Sequence, residues 1–525
     1  MDEWAVSRGL ATIMTSWLPD EHMEESQGGA APLLSKLPPP EDQSGGGVTA
    51  VVQGRRRRLA EEVWQESKKL GEVVGPAVFM NLIFSSMNIV SQSFAGHLGD
   101  LDLAAFAMAN TVVDGFNFAM LLGMANALET LCGQAYGAKQ YHMLGVYMQR
   151  SWLVLLAFAV LLAPMYVFSG DLLAALGQPA ELAREAGAIS VYFLPAHFMY
   201  ALLLPVMTFL QCQLKNWITA AAAAAVFAVH VAGTWLLVEC LGLGVFGVAM
   251  AFNLSWMVLA ALLLAYALGG GCPETWSGFS TSAFVELKEF VTLSASSGVM
   301  VCLENWYYRI LVFLTGFMKN AELSVDALSI CMSLTSWEMM IHMGFLAGTG
   351  VRVANELGAG NGQGAKFATI VSTTTSFLIS IFVSLLALIF HDKLAIIFSS
   401  SQAVIDAVDD ISVLLALAIL FNGIQPVLSG VAIGSGWQGL VAYVNIGSYY
   451  LIGVPLGVLL GWRFNYGVPG IWAGMIGGTM MQTLILALIT LRCDWNEEAM
   501  KAGTECGDGV VPSELGASMY IRIEN

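Results

Sequence analysis

The chain has 525 residues, 57% of them hydrophobic and only 12% charged, with a formal net charge of -17. A soluble globular protein carries about 25% charged residues, so most of this chain must be solvated by lipid. The acidic balance argues against nucleic acid as a partner. The cysteines are scattered without a C-x-x-C pair and read as small apolar packing residues rather than a disulfide or metal framework.

Taken from the start, residues 1–69 are expected to form a disordered cytosolic tail, because stretches such as Gly28–Pro40 hold too few apolar residues to bury a core. Residues 1–54 contain no secretory signal core, and Leu33-Leu34 reads as ordinary tail sequence. From residue 70 apolar blocks recur near 73–95, 103–128, 144–168, 186–209, 217–239 and 246–268, forming an amino-terminal lobe over 70–270. A cytosolic linker is expected over 271–289. A carboxy-terminal lobe over 290–493 then repeats the pattern near 290–317, 324–347, 367–390, 411–434, 439–461 and 469–491, before a cytosolic tail at 494–525. Each block matches the roughly 20 apolar residues that one helix needs to cross a bilayer. The expected fold is therefore an all-α polytopic membrane protein of twelve transmembrane helices in two homologous six-helix lobes. Arg55–Arg58 with Lys68 and Lys69 before the first span predict cytosolic termini, although the later loops show little charge bias.

An internal duplication ties the two lobes together. Glu66-x-Lys68 recurs as Glu286-x-Lys288, Gly137-Ala138 as Gly358-Ala359, Pro205-Val206 as Pro426-Val427, and Gly244-Val-x-Gly247 as Gly467-Val-x-Gly470. All four pairs share an offset of 220 to 223 residues. Six spans per copy is an even number, so both copies enter the membrane in the same direction. Parallel repeats of that kind are a transporter architecture and enclose a central cavity.

Leu128-Glu129-Thr130-Leu131-Cys132-Gly133-Gln134-Ala135-Tyr136-Gly137-Ala138 and Val351-Arg352-Val353-Ala354-Asn355-Glu356-Leu357-Gly358-Ala359-Gly360-Asn361 resemble the paired motifs of the multidrug and toxic compound extrusion (MATE) family. Gly434–Gln438 and Cys302–Tyr307 resemble its plant branch. The resemblance implies a V-shaped pair of lobes with alternating access and secondary export of organic compounds against protons or sodium, protons being usual in eukaryotic members. Flavonoids, alkaloids or other secondary metabolites are the implied substrates, with the vacuolar or plasma membrane as the location. A passive channel or a lipid-type translocase is the alternative. No catalytic constellation, cofactor motif or metal motif is found, and a monomer is expected.

Glu304 is the leading candidate for proton coupling. An ionised carboxylate in mid-span costs about 2.5–3.5 kcal/mol on insertion scales and is seldom kept without a task or partner. The resemblance supports the role, because a Glu before an aromatic pair matches the family's acid in this helix. Two departures from other members are Ser91 and Asn422, each aligning with an acid elsewhere in the family. Asp114 in span two reads either as a second titratable group or as a satisfied buried acid. Tyr307 and Tyr308, at i+3 and i+4 from Glu304, are candidate substrate contacts; Trp306, Trp337, Met339 and Met340 read as packing. Asn422, Gln425 and Ser429 form one polar helix face, the first two as candidate substrate contacts. Pro426, which frees the carbonyl of residue 422, is a candidate hinge or a packing kink. Arg309, about 140° around the helix from Glu304, is expected either to pair with an acid such as Glu338 or to face the cavity.

Overall fold

The computed structural model describes residues 46–315, 318 and 322–508. The tail expected over residues 1–45, with Leu33-Leu34, and the segment from residue 509 lie outside the described residues. The chain divides into one unit ending at Lys69 and another running from Leu70. In the first unit the described residues are helical, within a helix α1 that spans Gly46–Leu98. A tail was expected up to residue 69, so residues 46–69 are a correction. Leu59, Ala60, Glu61 and Glu62 are strong helix formers, and Lys69 pairs with Glu66 one turn back at 3.4 Å.

The second unit is a bundle of helices with no strand among the described residues. Its first half contains the rest of α1, α2 (Asp100–Gly137), α3 (Tyr141–Val167), a short α4 (Ser169–Ala175), α5 (Ala180–Tyr192), α6 (Leu194–Cys212), α7 (Asn216–Cys240) and α8 (Gly244–Gly271). The second half contains α9 (Leu287–Thr315), α10 (Glu322–Gly358), α11 (Gly362–Ile396), α12 (Gln402–Asp410), α13 (Ser412–Asn422), α14 (Gln425–Ser435), α15 (Gln438–Arg463) and α16 (Gly467–Arg492). A last helix, α17 (Trp495–Asp508), follows. Among the described residues ten segments are long and apolar enough to cross a membrane, with α13 and α14 counted as one. The remaining two spans are α9 and α10, whose runs are diluted by Glu304, Asn305, Arg309, Glu338 and His342. Twelve spans in two lobes follow, as the hydropathy and the repeat predicted.

Helix ends fall where the backbone chemistry requires them. Gly360 (φ 74°) closes α10 in the left-handed region, and Asn361 then caps α11 by accepting from the Gly364 amide at 3.0 Å. Each lobe has its own apolar core, one around Phe106, Phe193, Phe209 and Phe252 and another around Leu415, Tyr449, Ile471 and Trp472.

The linker expected over 271–289 runs between the end of α8 at Gly271 and the start of α9 at Leu287, and it is bound to the first lobe. Gln149 of α3 donates to the Gly278 carbonyl (3.1 Å) and accepts from the Ser280 amide (2.9 Å). Arg150, its neighbour, pairs with Glu286 (3.3 Å) and donates to the Ser282 carbonyl (3.2 Å).

Candidate functional site

Span ten is where the duplicated lobes diverge. Pro205 lies inside the unbroken helix α6, whereas its counterpart Pro426 occupies the first turn of α14, just after a break at Gly423 and Ile424. Gly423 lies against Ser380 of α11 so closely that a side chain there would collide with the Ser380 hydroxyl. The missing amide of Pro426 and the absent side chain of Gly423 together let the helix part.

The two sides of that break hold two acids of the neighbouring spans, Glu304 and Glu338. Gln425, buried, donates through Nε2 to Glu304 on α9 at 2.8 Å and to the Ser429 hydroxyl at 3.2 Å. Asn422 donates to Glu338 on α10 at 3.2 Å. His342, one turn along α10, is 2.5 Å from the other oxygen of Glu338 and is held by Ser376 (2.8 Å) and Ser380 (3.2 Å) of α11. The single polar face expected from Asn422, Gln425 and Ser429 is split by the break, which aims Asn422 at Glu338 and Gln425 at Glu304 and leaves Ser429 beside Gln425.

A cavity of about 40 Å³ lies beside this network, lined by Tyr308, Met332, Phe421, Asn422, Trp472 and Thr479 among others. Drug-sized sites run to roughly 300–1,000 Å³, so the cavity as it stands is too small for a molecule of that size. Of the two tyrosines predicted to meet substrate, Tyr308 lines the cavity. Tyr307 is corrected: it is fully buried, stacked on Tyr449 (4.2 Å, 11°), and its hydroxyl donates to the Met475 carbonyl at 2.9 Å. A helix-face argument could not separate adjacent tyrosines whose rings meet edge-on at 5.8 Å. Trp472, which walls this cavity and a second one near Asp410, was missed because it sits in an otherwise ordinary apolar run.

The first lobe buries Asp114 at the end of a widened, π-type turn, Ala109–Asp114. Tyr166 of α3 donates to one of its oxygens at 2.9 Å and Tyr200 of α6 to the other at 3.1 Å. His197 Nδ1 is 3.3 Å from the Tyr166 hydroxyl, while its Nε2 faces the Ala159 carbonyl at 3.0 Å. A carbonyl can only accept, so Nε2 carries the hydrogen and Nδ1 is an acceptor. Tyr166, which donates to Asp114, thus stands between that acid and His197. Ser91, which stands where an acid was weighed, is buried against His230 at 3.1 Å.

The lobes meet along a seam in which glycines bring backbones together. Gly123 of α2 receives Gly298 and Val301 of α9, and Gly344, 221 residues later, receives Val78 of α1. Further along, any side chain at Gly137 would strike the Asn355 backbone, and one at Gly358 the Gln134 backbone. Polar bonds cross here too: Thr130 donates to the Ile433 carbonyl (2.5 Å), Gln134 to the Gly434 carbonyl (3.2 Å), and Gln438 to the Thr130 hydroxyl (2.7 Å). Both paired motifs thus lie in the seam. Arg309 comes close to Gly115 of α2, and the described ion pairs do not join it to Glu338, whose partners are His342 and Asn422.

A family model described as MatE matches residues 76–236 and again 297–459, with starts 221 residues apart. The chain belongs to the MatE family. Protein DETOXIFICATION 27 of Arabidopsis thaliana is 58% identical over 445 residues, covering 85% of this chain and 92% of the relative. Protein DETOXIFICATION 21 of the same plant is 47% identical over 456 residues, covering 86% and 92%. In structure, the chain is similar to the eukaryotic MATE transporter AtDTX14, with a TM-score of 0.80 and 34% identity over 85% of this chain and 99% of that one. A Vibrio cholerae MATE transporter shares the fold at a TM-score of 0.74 and 16% identity, over 83% and 99%. This MatE chain is accordingly a multi-pass membrane transporter of small organic compounds rather than an enzyme.

Proposed function

We propose that the chain exports organic compounds from the cytosol by proton antiport with alternating access, acting as a monomer in the vacuolar or plasma membrane with both termini in the cytosol. Flavonoids, alkaloids or other secondary metabolites and xenobiotics are the substrate class. The observation that carries the reading is Glu304, a carboxylate within a membrane span, joined by Gln425 to a broken helix beside a cavity. An amide has a donor end and an acceptor end. Gln425 donates to the ionised acid and, turned over, accepts from the protonated one, so the contact survives either state. Loss of the charge then alters what the cavity favours without dismantling its wall. Tyr308 and Asn422 present an aromatic face and an amide to a planar, polar-edged substrate. The Asp114, Tyr166 and His197 relay gives the first lobe its own proton site. Pro426 and Gly423 supply the flexible point in span ten.

The test is uptake into vesicles with an acid interior, over a panel of flavonoids, alkaloids and cationic dyes. Accumulation that depends on the pH gradient supports antiport. Equal flux with no gradient would make the protein a channel, and movement of labelled phospholipid between leaflets in place of solute would make it a lipid translocase.

A further inference from the structure

Glu129 takes no part in either proton site, yet its place in the seam gives it something to do. It lies on α2 between two lobes, 4% exposed, facing Gly350 of α10, a glycine that the Gly430 carbonyl of α14 also approaches. A side chain at Gly350 would collide with the carboxylate, so Gly350 opens the notch that Glu129 fills. Oε1 of the carboxyl has no hydrogen-bond partner among the described residues, and no described ion pair includes it.

The groups around it do not supply a countercharge. Helix α14 contains no titratable residue. From α6 comes the thiol of Cys212, which contacts the Glu129 carbonyl at 3.6 Å. On α10, Arg352 is turned to Glu356 at 2.6 Å, and Glu338 is paired with His342. On α3, Arg150 is engaged with Glu286. Glu304 of α9 is bonded to Gln425, and on α17 Glu497 and Glu498 share Lys501. An ionised carboxylate in such a place would be buried without a partner, which is strongly unfavourable, whereas the neutral acid fits.

We infer that Glu129 is a proton-sensitive latch for the seam: the lobes stay joined along it while the carboxyl is neutral and part when it ionises. The inference rests on the alternating-access reading above. It assigns Glu129 a role apart from coupling: this acid sets when the seam opens, and its effect is to make that opening depend on the pH that reaches the seam.

The experiment follows the seam directly. A donor and acceptor pair is placed at Lys139 and Lys366, both exposed, in the full-length protein reconstituted in lipid nanodiscs without substrate. The parental pair should separate as pH rises from acid to neutral. Glu129→Gln, nearly the same shape but never charged, should keep its low-pH distance throughout. Glu129→Asp, which restores a titrating group, should recover the separation, and Gly71→Ala, which meets nothing within 4 Å, should leave it intact. A Glu129→Gln protein that separates with the parental pH profile would overturn the latch, as would a parental pair that ignores pH. If gradient-driven uptake is absent but the seam still titrates through Glu129, the antiport reading fails and the latch stands.

Discussion

Replacing Glu304 by Gln tests the coupling assignment with little structural disturbance. The Gln425 amide now meets Glu304 at 2.8 Å across a charge-assisted bond whenever the acid is ionised. Glu304→Gln keeps an oxygen to accept that bond and exchanges a contact worth about 1.5–3 kcal/mol for a neutral one worth about 0.5–1.5 kcal/mol. The expected loss is thus on the order of 1 kcal/mol, too little to prevent insertion. The functional loss is larger. A gradient of about two pH units stores about 2.7 kcal/mol per proton, enough for about 100-fold accumulation of a neutral solute at one proton per solute. Without a titrating group at this position the ratio should fall to about one. The assay compares substrate inside and outside acid-loaded vesicles for both proteins, at matched amounts of inserted transporter. If correctly inserted Glu304→Gln still accumulates substrate near the parental level, the coupling assignment is wrong and Asp114 or Glu338 must carry it.

Pro426→Ala returns an amide able to bond the Asn422 carbonyl and bridge the break. One hydrogen bond of about 1 kcal/mol should slow exchange between the two openings about fivefold, read as a lower transport rate at unchanged membrane abundance; an unchanged rate would reduce Pro426 to packing. Tyr307→Phe removes the bond to Met475 and should cost about 0.5–1.5 kcal/mol of stability in a melting assay without changing substrate preference. Tyr308→Ala should instead change preference, because that ring lines the cavity; the reverse pattern would mean the two roles are exchanged. Gly358→Ala drives a methyl into the Gln134 backbone and should hold the seam ajar, making a cysteine placed at Thr130 reactive to thiol reagents. Gly71→Ala, which meets nothing within 4 Å, is the control and should leave that reactivity low.

The architecture was legible because the two signals that encode it are strong and independent. Lipid demands long apolar runs, and duplication preserves spacing, so Pro205 and Pro426 or Gly137 and Gly358 could be paired without coordinates. Glu304 and Asp114 were legible for a related reason, since acids stand out in apolar segments. What was not legible depends on rotation about helix axes and on contacts between distant segments. The widened turn before Asp114 adds backbone that no hydrophobic period marks. Adjacent Tyr307 and Tyr308 are chemically alike, and only the packing of Tyr449 and Met475 decides which is buried. Glu338 is by composition a candidate charge partner for Arg309, but His342 stands one turn away on the same helix and takes it. Glu129 could be quoted as part of a motif while its task stayed hidden, because Gly350, which makes room for it, lies more than two hundred residues away.

The linker held by Gln149 and Arg150 changes how the two lobes are mechanically joined. A slack connection would let each half turn independently. Here the tether is fastened to the first lobe almost to its end, with Glu286 (φ 57°) as the last fastened residue and α9 beginning at Leu287. The free length between the halves is close to a single backbone joint. A rotation of the first lobe would carry the amino-terminal end of α9, the helix that bears Glu304, along with it.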